Sequence, residues 1–278
     1  MSIMKTYLKT YSPIKLKTVF ATVALCLGAY ACATSPTGIM QLKLFPDEQM
    51  NQMGIAAYSE MKKQTPVTQD GKTSRYVNCI ADAIIAVLPE KAEWEVNVFA
   101  DDQVNAFALP GRKIGVYTGL LKVANNQSQL AAVMGHEVAH VLADHGNARV
   151  SANYAAQAGV TIATIIGMAS TNDPQERQLL GLLGVGVQVG ALLPYGRAQE
   201  SEADIIGLEL MAKAGFDPRQ SVILWQNMAK AGGSSSPEFL STHPSSNTRI
   251  KNLSARMNKA VAWQQQAHAN GRKPQCRR

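Results

Sequence analysis

In the stretch Gly135-His136-Glu137-Val138-Ala139-His140, two histidines and a glutamate have the types and spacing that chemistry needs. On an α-helix the i,i+4 interval puts His136 and His140 on one face, one turn apart, so both imidazoles reach a single tetrahedral cation. Glu137 stands about 100° round the helix, close enough to hold a water beside that cation. Two neutral imidazoles suit zinc, and a carboxylate so placed can act as general base toward the water, which is the chemistry of metal-assisted hydrolysis. Chance is a poor explanation with five histidines in 278 residues. The surrounding helix is also apolar, through Leu130, Val133, Met134, Val138, Val141 and Leu142. Buried histidines and a buried glutamate are costly unless a cation pairs them.

A hydrolytic zinc needs a third protein ligand and leaves its fourth place for water. The candidate segment runs from Arg197 to Gly207 and carries three acids on an expected helix. Glu200 and Asp204 share a face, whereas Glu202 lies about 200° away and is expected to be solvated. One of the pair can bind zinc while the other orients a ligand histidine from behind. His145, five residues past His140 and about 140° off its face, is not expected to be a ligand. Ala143 and Gly146 stand where a metzincin has its glycine and third histidine, which excludes that class.

Several elements must position these groups. Met50, Met53, Gly54, Ala57, Tyr58 and Met61 form the stripe of an amphipathic helix, and Tyr76, Ile80, Ile84, Val87 and Leu88 that of a second, stopped by Pro89. From Trp94 the period becomes two. Strands are expected over Glu95–Phe99, Asn105–Leu109 and Lys113–Tyr117, the last two joined by a type II turn at Pro110-Gly111. The expectation is a small antiparallel sheet beside the metal helix, its edge either pairing with an extended peptide or closing a structural hairpin. Apolar stretches over 158–169 and 179–193 are short for membrane spans and are expected as packed helices. The fold class is α+β, mainly helical.

The formal charge of +7 falls to +3 when Lys5, Lys9, Lys15 and Lys17 are set aside, and Arg272, Lys273, Arg277 and Arg278 crowd the last seven residues. That tail reads as a solvated end. Without an aromatic-interleaved basic patch, nucleic acid is not an expected partner. The first 31 residues read as an export signal, with Val19–Ala31 apolar. Ala29-Tyr30-Ala31 fits ordinary signal cleavage; the same residues followed by Cys32 fit a loose lipobox, the favoured reading, which would tether the chain to a membrane surface. Cys79 and Cys276 are then an even pair in an oxidising compartment, either bridged or left as two thiols.

HExxH followed by R-x-x-E-x-x-A-D-x-x-G, carried here by Arg197, Glu200, Ala203, Asp204 and Gly207, resembles zinc metallopeptidase family forty-eight, that of HtpX, the Oma-type proteases, BepA and LoiP. Residues Cys32 to Gly38 are similar to the mature start of its lipoprotein members. Asn105 to Gly111 resembles its cleft-side edge strand, and Ser241-Thr242-His243-Pro244 with Arg249-Ile250 its late HP...R motif. Arg112 and Ile39 depart from the pattern, standing where a second glycine and a basic residue are common. The resemblance implies a gluzincin-type domain binding one Zn2+ per chain through His136, His140 and Glu200. It also implies a catalytic set of Glu137, Asp204, His243 and Arg249. His243 would be a removable fourth ligand or an oxyanion donor, unless it merely precedes the next helix. Arg249 would neutralise developing charge or hold Glu200 or Asp204.

The expected organisation is a signal peptide over 1–31, a lipid-anchored segment over 32–45, a metallopeptidase domain over 46–260 and a polar basic tail over 261–278. The expected activity is zinc-dependent endopeptidase action on misfolded or misassembled envelope proteins, at the periplasmic face of the outer membrane or free in the periplasm. The alternative is a client-binding assembly lipoprotein with gated or secondary proteolysis.

Overall fold

A computed structural model describes residues 32–170, 196–231, 238–243 and 247–278. The expected export signal and the 179–193 stretch lie outside the described residues. Two short strands, β1 (Cys32–Thr34) and β2 (Met40–Leu42), form an antiparallel hairpin. Helices α1 (Asp47–Gln64) and α2 (Gly71–Ile85) follow, then β3 (Glu95–Phe99), β4 (Ala106–Leu109) and β5 (Lys113–Tyr117). Next come the metal helix α3 (Gln127–Leu142) and α4 (His145–Ser170), then α5 (Arg197–Lys213), α6 (Gln220–Ala231), the short α7 (Glu238–Thr242) and α8 (Asn247–Ala269). Among the described residues, no helix is long and apolar enough to cross a membrane.

Local signals account for most boundaries. Asp70 caps α2 by accepting the Lys72 amide, and Asn126 caps α3 by accepting those of Ser128 and Gln129. Tyr76, Ile80 and Ile84 all turn inward from α2. From α1 only Met50, Gly54 and Tyr58 are buried, while Met53 of the expected stripe is exposed. That i, i+4, i+8 line packs on the sheet, where the Tyr58 hydroxyl donates to the Ile114 carbonyl of β5 and its ring meets Phe99 of β3.

The sheet is a correction to the expected antiparallel one. Its order is β3-β5-β4, with β5 parallel to β3 and antiparallel to β4. The β4–β5 hairpin docks through β5, so β5 becomes the central strand, and its Ile114, Gly115, Val116 and Tyr117 are all buried. This leaves β4 as an edge lying against α3. The connecting turn has Gly111 at φ 80° and Arg112 at φ 61°. Arg112 thus occupies a left-handed position where glycine carries no Cβ penalty, which explains why a second glycine suits that site.

One large core joins α2, the sheet, α3, α5, α6 and α8. The metal helix lies at its centre, with every residue from Ser128 to His140 buried. It crosses α5 at Gly135 and Gly207, where a Cβ on Gly207 would stand 2.7 Å from the His136 amide nitrogen. Only two glycines allow the backbones this close, and the contact brings the acids of α5 level with the histidines of α3.

α8 runs unbroken through position 260, and the chain beyond it returns to the domain. Gln127 donates to the Pro274 carbonyl and accepts the Cys276 amide, and Cys276 is bridged to Cys79 of α2. A cross-link spanning 197 positions restricts the unfolded chain strongly. Replacing both cysteines by alanine is expected to lower the unfolding free energy by about 2–5 kcal/mol, read by urea titration against the oxidised parent.

Candidate metal centre

Four side chains from three places in the sequence converge in the core: His136 and His140 from α3, Glu200 from α5, and His243 just after α7. All four are buried, and one donor atom from each lies within 4.8 Å of the others. His136 Nε2 is 3.1 Å from His140 Nε2 and 3.3 Å from His243 Nδ1. Glu200 Oε1 is 3.0 Å from His243 Nδ1 and 3.4 Å from His140 Nε2. Donors bound tetrahedrally to zinc at 2.0–2.1 Å stand about 3.3 Å apart. The four separations are close to the edge length of such a tetrahedron, and the nitrogen and carboxylate donors are those zinc takes, so the residues fit the ion.

Behind this cluster sits an ionic frame. Asp204 Oδ1 lies 3.1 Å from His136 Nδ1, and Arg249 grips the same carboxylate with both Nε and Nη2, at 2.6 and 2.7 Å. A second arm of the guanidinium, Nη1, stands 2.6 Å from Glu200 Oε2. Arg249 therefore holds Glu200 and Asp204 together, while its planar group lies 3.9 Å from the Trp225 ring centroid. The His243 ring stacks on Phe239, centroids 4.6 Å apart.

Glu137 faces the other way. Its Oε2 accepts the Ala108 amide of β4 at 3.2 Å. Its Oε1 is buried without a hydrogen-bond partner among the described residues, and His243 Nε2 is the nearest cation-forming group at 3.5 Å. In the β4–β5 ladder the Tyr117 amide donates to the Asn105 carbonyl, and the alternation of an antiparallel pair then turns the amides and carbonyls of Ala106 and Ala108 outward. The open edge of β4 and the unpaired carboxylate oxygen thus meet beside the cluster.

Burial opposes charge on all these groups, and their neighbours decide the outcome. Burial pulls His136 down, but the Asp204 and Glu200 carboxylates outweigh it and raise the imidazole to about 9. Burial keeps His140 well below its ordinary value and pushes the Glu137 carboxyl up. Against burial, hydrogen bonding led by His136 holds Glu200 far below the carboxylate range, and Arg249 and His136 lower Asp204. The signs give a bounded optimum for the zinc-free protein. His136 contributes stability below about pH 6.5 and loses it as pH rises through about 9. Glu200 and Asp204 contribute above the ordinary carboxylate range and lose it in acid. The melting temperature of chelator-treated protein is therefore expected to fall as pH rises from about 6.5 to 9, where His136 loses its proton, and to fall again in acid, where unfolding lets His140 take up a proton and Glu200 and Asp204 lose their charge. A flat profile from 6.5 to 9 would exclude this assignment.

All seven expected site residues come together here, four as potential metal donors and three around them. Glu202, expected to be solvated, is instead 1% exposed, because α5 is covered on its second face by the segment before α1. Its carboxylate accepts from Ser35 and Thr37 and meets His145. His145 in turn lies 2.9 Å from His140, Nδ1 to Nδ1, behind the cluster rather than in it. His268 donates to the Gly215 carbonyl and is not among the four clustered donors. Trp225 and Phe239 escaped the sequence reading because nothing local marks an aromatic platform, and Ala108 was reached only as part of the edge strand expected over Asn105–Gly111, since nothing local marks its bond to Glu137.

Comparison with known proteins agrees with this geometry. The family profile described as Peptidase family M48 matches residues 69–257. The mitochondrial metalloendopeptidase OMA1 of Schizosaccharomyces pombe is 38% identical over 184 residues, covering 65% of this chain and 52% of its own length. The Arabidopsis thaliana protein of that name is 33% identical over 229 residues, covering 81% and 44%. The beta-barrel assembly-enhancing protease of Escherichia coli is 28% identical over 214 residues, covering 74% and 43%. The chain spans about half the length of these curated relatives.

Proposed function

The chain belongs to peptidase family M48, and from that premise we propose that it is a zinc-dependent endopeptidase degrading misfolded or misassembled proteins of the bacterial cell envelope. One observation carries the reading: a buried cluster of four zinc-type donors beside a glutamate whose second oxygen already touches the open edge of a β-strand. His136, His140 and Glu200 are the residues that would hold the ion. Zinc, when bound, supplies the Lewis acidity that makes water a nucleophile near neutral pH and polarises a peptide carbonyl.

The protein's own groups do the rest. β4 offers the outward amide and carbonyl of Ala106 and the carbonyl of Ala108 to an extended peptide, which a folded protein cannot present, while the Ala108 amide holds Glu137. Glu137 takes the water's proton at Oε1 and returns it to the leaving amine. Asp204 orients His136 by accepting its Nδ1–H, and Arg249 fixes Asp204 and Glu200. The envelope setting rests on Cys32 after an apolar stretch, as a site of lipidation on the outer membrane's periplasmic face, and on the disulfide, which suits an oxidising compartment. The assembly-enhancing name of the Escherichia coli relative fits the same setting.

A second reading is favoured by His243, whose Nδ1 stands in the fourth donor position. There the enzyme rests closed, binds clients, and cuts only when His243 withdraws. Stripping zinc is expected to abolish cleavage of an unfolded protein, and one equivalent to restore it. A cleavage rate indifferent to zinc refutes the function. His243→Ala is expected to raise the basal rate on the closed reading, and to lower it by about 10²-fold if His243 serves the oxyanion instead.

A further inference from the structure

His136 and His140 are oriented by different means. Behind His136 stands one carboxylate, Asp204, on the neighbouring helix. Behind His140 stands a relay that ends about a hundred residues earlier in the chain. Glu202 Oε1 accepts from Ser35 Oγ at 2.6 Å, from the Thr37 amide at 2.9 Å and from Thr37 Oγ1 at 2.7 Å. With three donors fixing that oxygen, Glu202 is an acceptor, and its Oε2 takes the Nε2–H of His145 at 3.0 Å. A neutral His145 so placed presents a bare Nδ1. His140 Nδ1, 2.9 Å away, must then be the protonated nitrogen of its ring and donate to it. That tautomer leaves the lone pair of His140 on Nε2, the atom that faces Glu200 and His136.

The same early segment also braces the turn that carries His145. Gln41 donates to the Ala143 carbonyl, and Lys43 pairs with Asp144 at 2.6 Å. The Leu44 amide donates to Ser151 Oγ, and the Phe45 carbonyl accepts from Asn147. Asp144, which Lys43 holds, has φ 54°, the left-handed conformation that turns the chain from α3 into α4 just before His145. Ser35, Glu202 and His145 are all buried.

We propose that residues 35–44 are a working part of the metal centre, acting through Glu202 and His145 as positioning residues that set the tautomer and aim of His140. The proposal rests on the zinc reading above. It makes the segment next to Cys32 a determinant of metal affinity as well as a connector.

The test measures zinc affinity of full-chain protein by competition with a chromogenic chelator, alongside the melting temperature of the zinc-free form. His145→Leu removes both hydrogen bonds of the relay and is expected to weaken zinc binding about 10–100-fold. His145→Gln can accept from His140 and donate to Glu202, so it is expected to recover most of that loss. Ser35→Ala with Thr37→Val strips both hydroxyl donors from Glu202 and is expected to weaken binding about 10-fold, together with a lower zinc-free melting temperature because a buried carboxylate loses two donors. Imidazole 15N shifts of the parent are expected to report His140 as the Nδ1–H tautomer. Equal affinity in parent and double variant overturns the role of the early segment. Equal weakening by leucine and glutamine at 145 reduces His145 to a space-filler and overturns the relay. A parent that binds no zinc sinks the zinc reading itself, which separates that failure from this one.

Discussion

Glu137→Gln is expected to leave one zinc per chain and lower cleavage of an unfolded protein by about 10²–10⁴-fold. Glutamine keeps the shape and can still accept the Ala108 amide through its carbonyl oxygen, so the helix and the donor cluster need not move. What it lacks is a basic oxygen at the Oε1 position, which is buried and without a hydrogen-bond partner among the described residues. The loss should fall on kcat rather than KM, because the proton moves only in the transition state. Zinc content by mass spectrometry under native conditions, with a gel-based cleavage assay, decides the matter. A variant that keeps both zinc and activity removes Glu137 from the mechanism.

Arg249→Met is expected to cost about 3–5 kcal/mol of unfolding free energy in the zinc-free protein. Methionine replaces the volume, but Asp204 and Glu200 lose the cation that both contact and remain buried. Zinc should recover part of the loss, since Glu200 regains a positive partner. Adding Asp204→Asn should also recover part of it, because the two residues form one network and their effects should not sum. Denaturant titrations of the single and double variants, with and without zinc, read both terms. A single variant as stable as the parent would place Arg249 outside the frame.

The two halves of the centre differed in how far sequence could reach them. His136, Glu137 and His140 are one turn of one helix, so their spacing alone places them on adjacent faces. The pairing of Glu200 with Asp204 followed from the same arithmetic, and the structure brings both beside His136. Glu202 was misjudged because helical period tells which residues share a face and not how many faces are covered. α5 packs on α3 through Gly207 on one side and on the Ser35–Thr37 turn on the other. The sheet erred for a related reason. Alternation located three strands nearly to the residue, but pairing order depends on which strand docks centrally. The continuous burial of Ile114 through Tyr117 is the trace of that choice. His243 and Arg249 were reachable only by family likeness, since their meaning lies in partners more than 40 positions away.

The bridge between Cys79 and Cys276 has a topological consequence. Every candidate donor, from His136 to His243, and Arg249 behind them, lies inside the covalent ring that it closes. A polypeptide still in a reducing compartment lacks that ring, so its hydrolytic groups are held by non-covalent packing alone. Oxidation would then tighten the whole circuit at once, so the order of the donor cluster would follow the redox state of whichever compartment holds the chain.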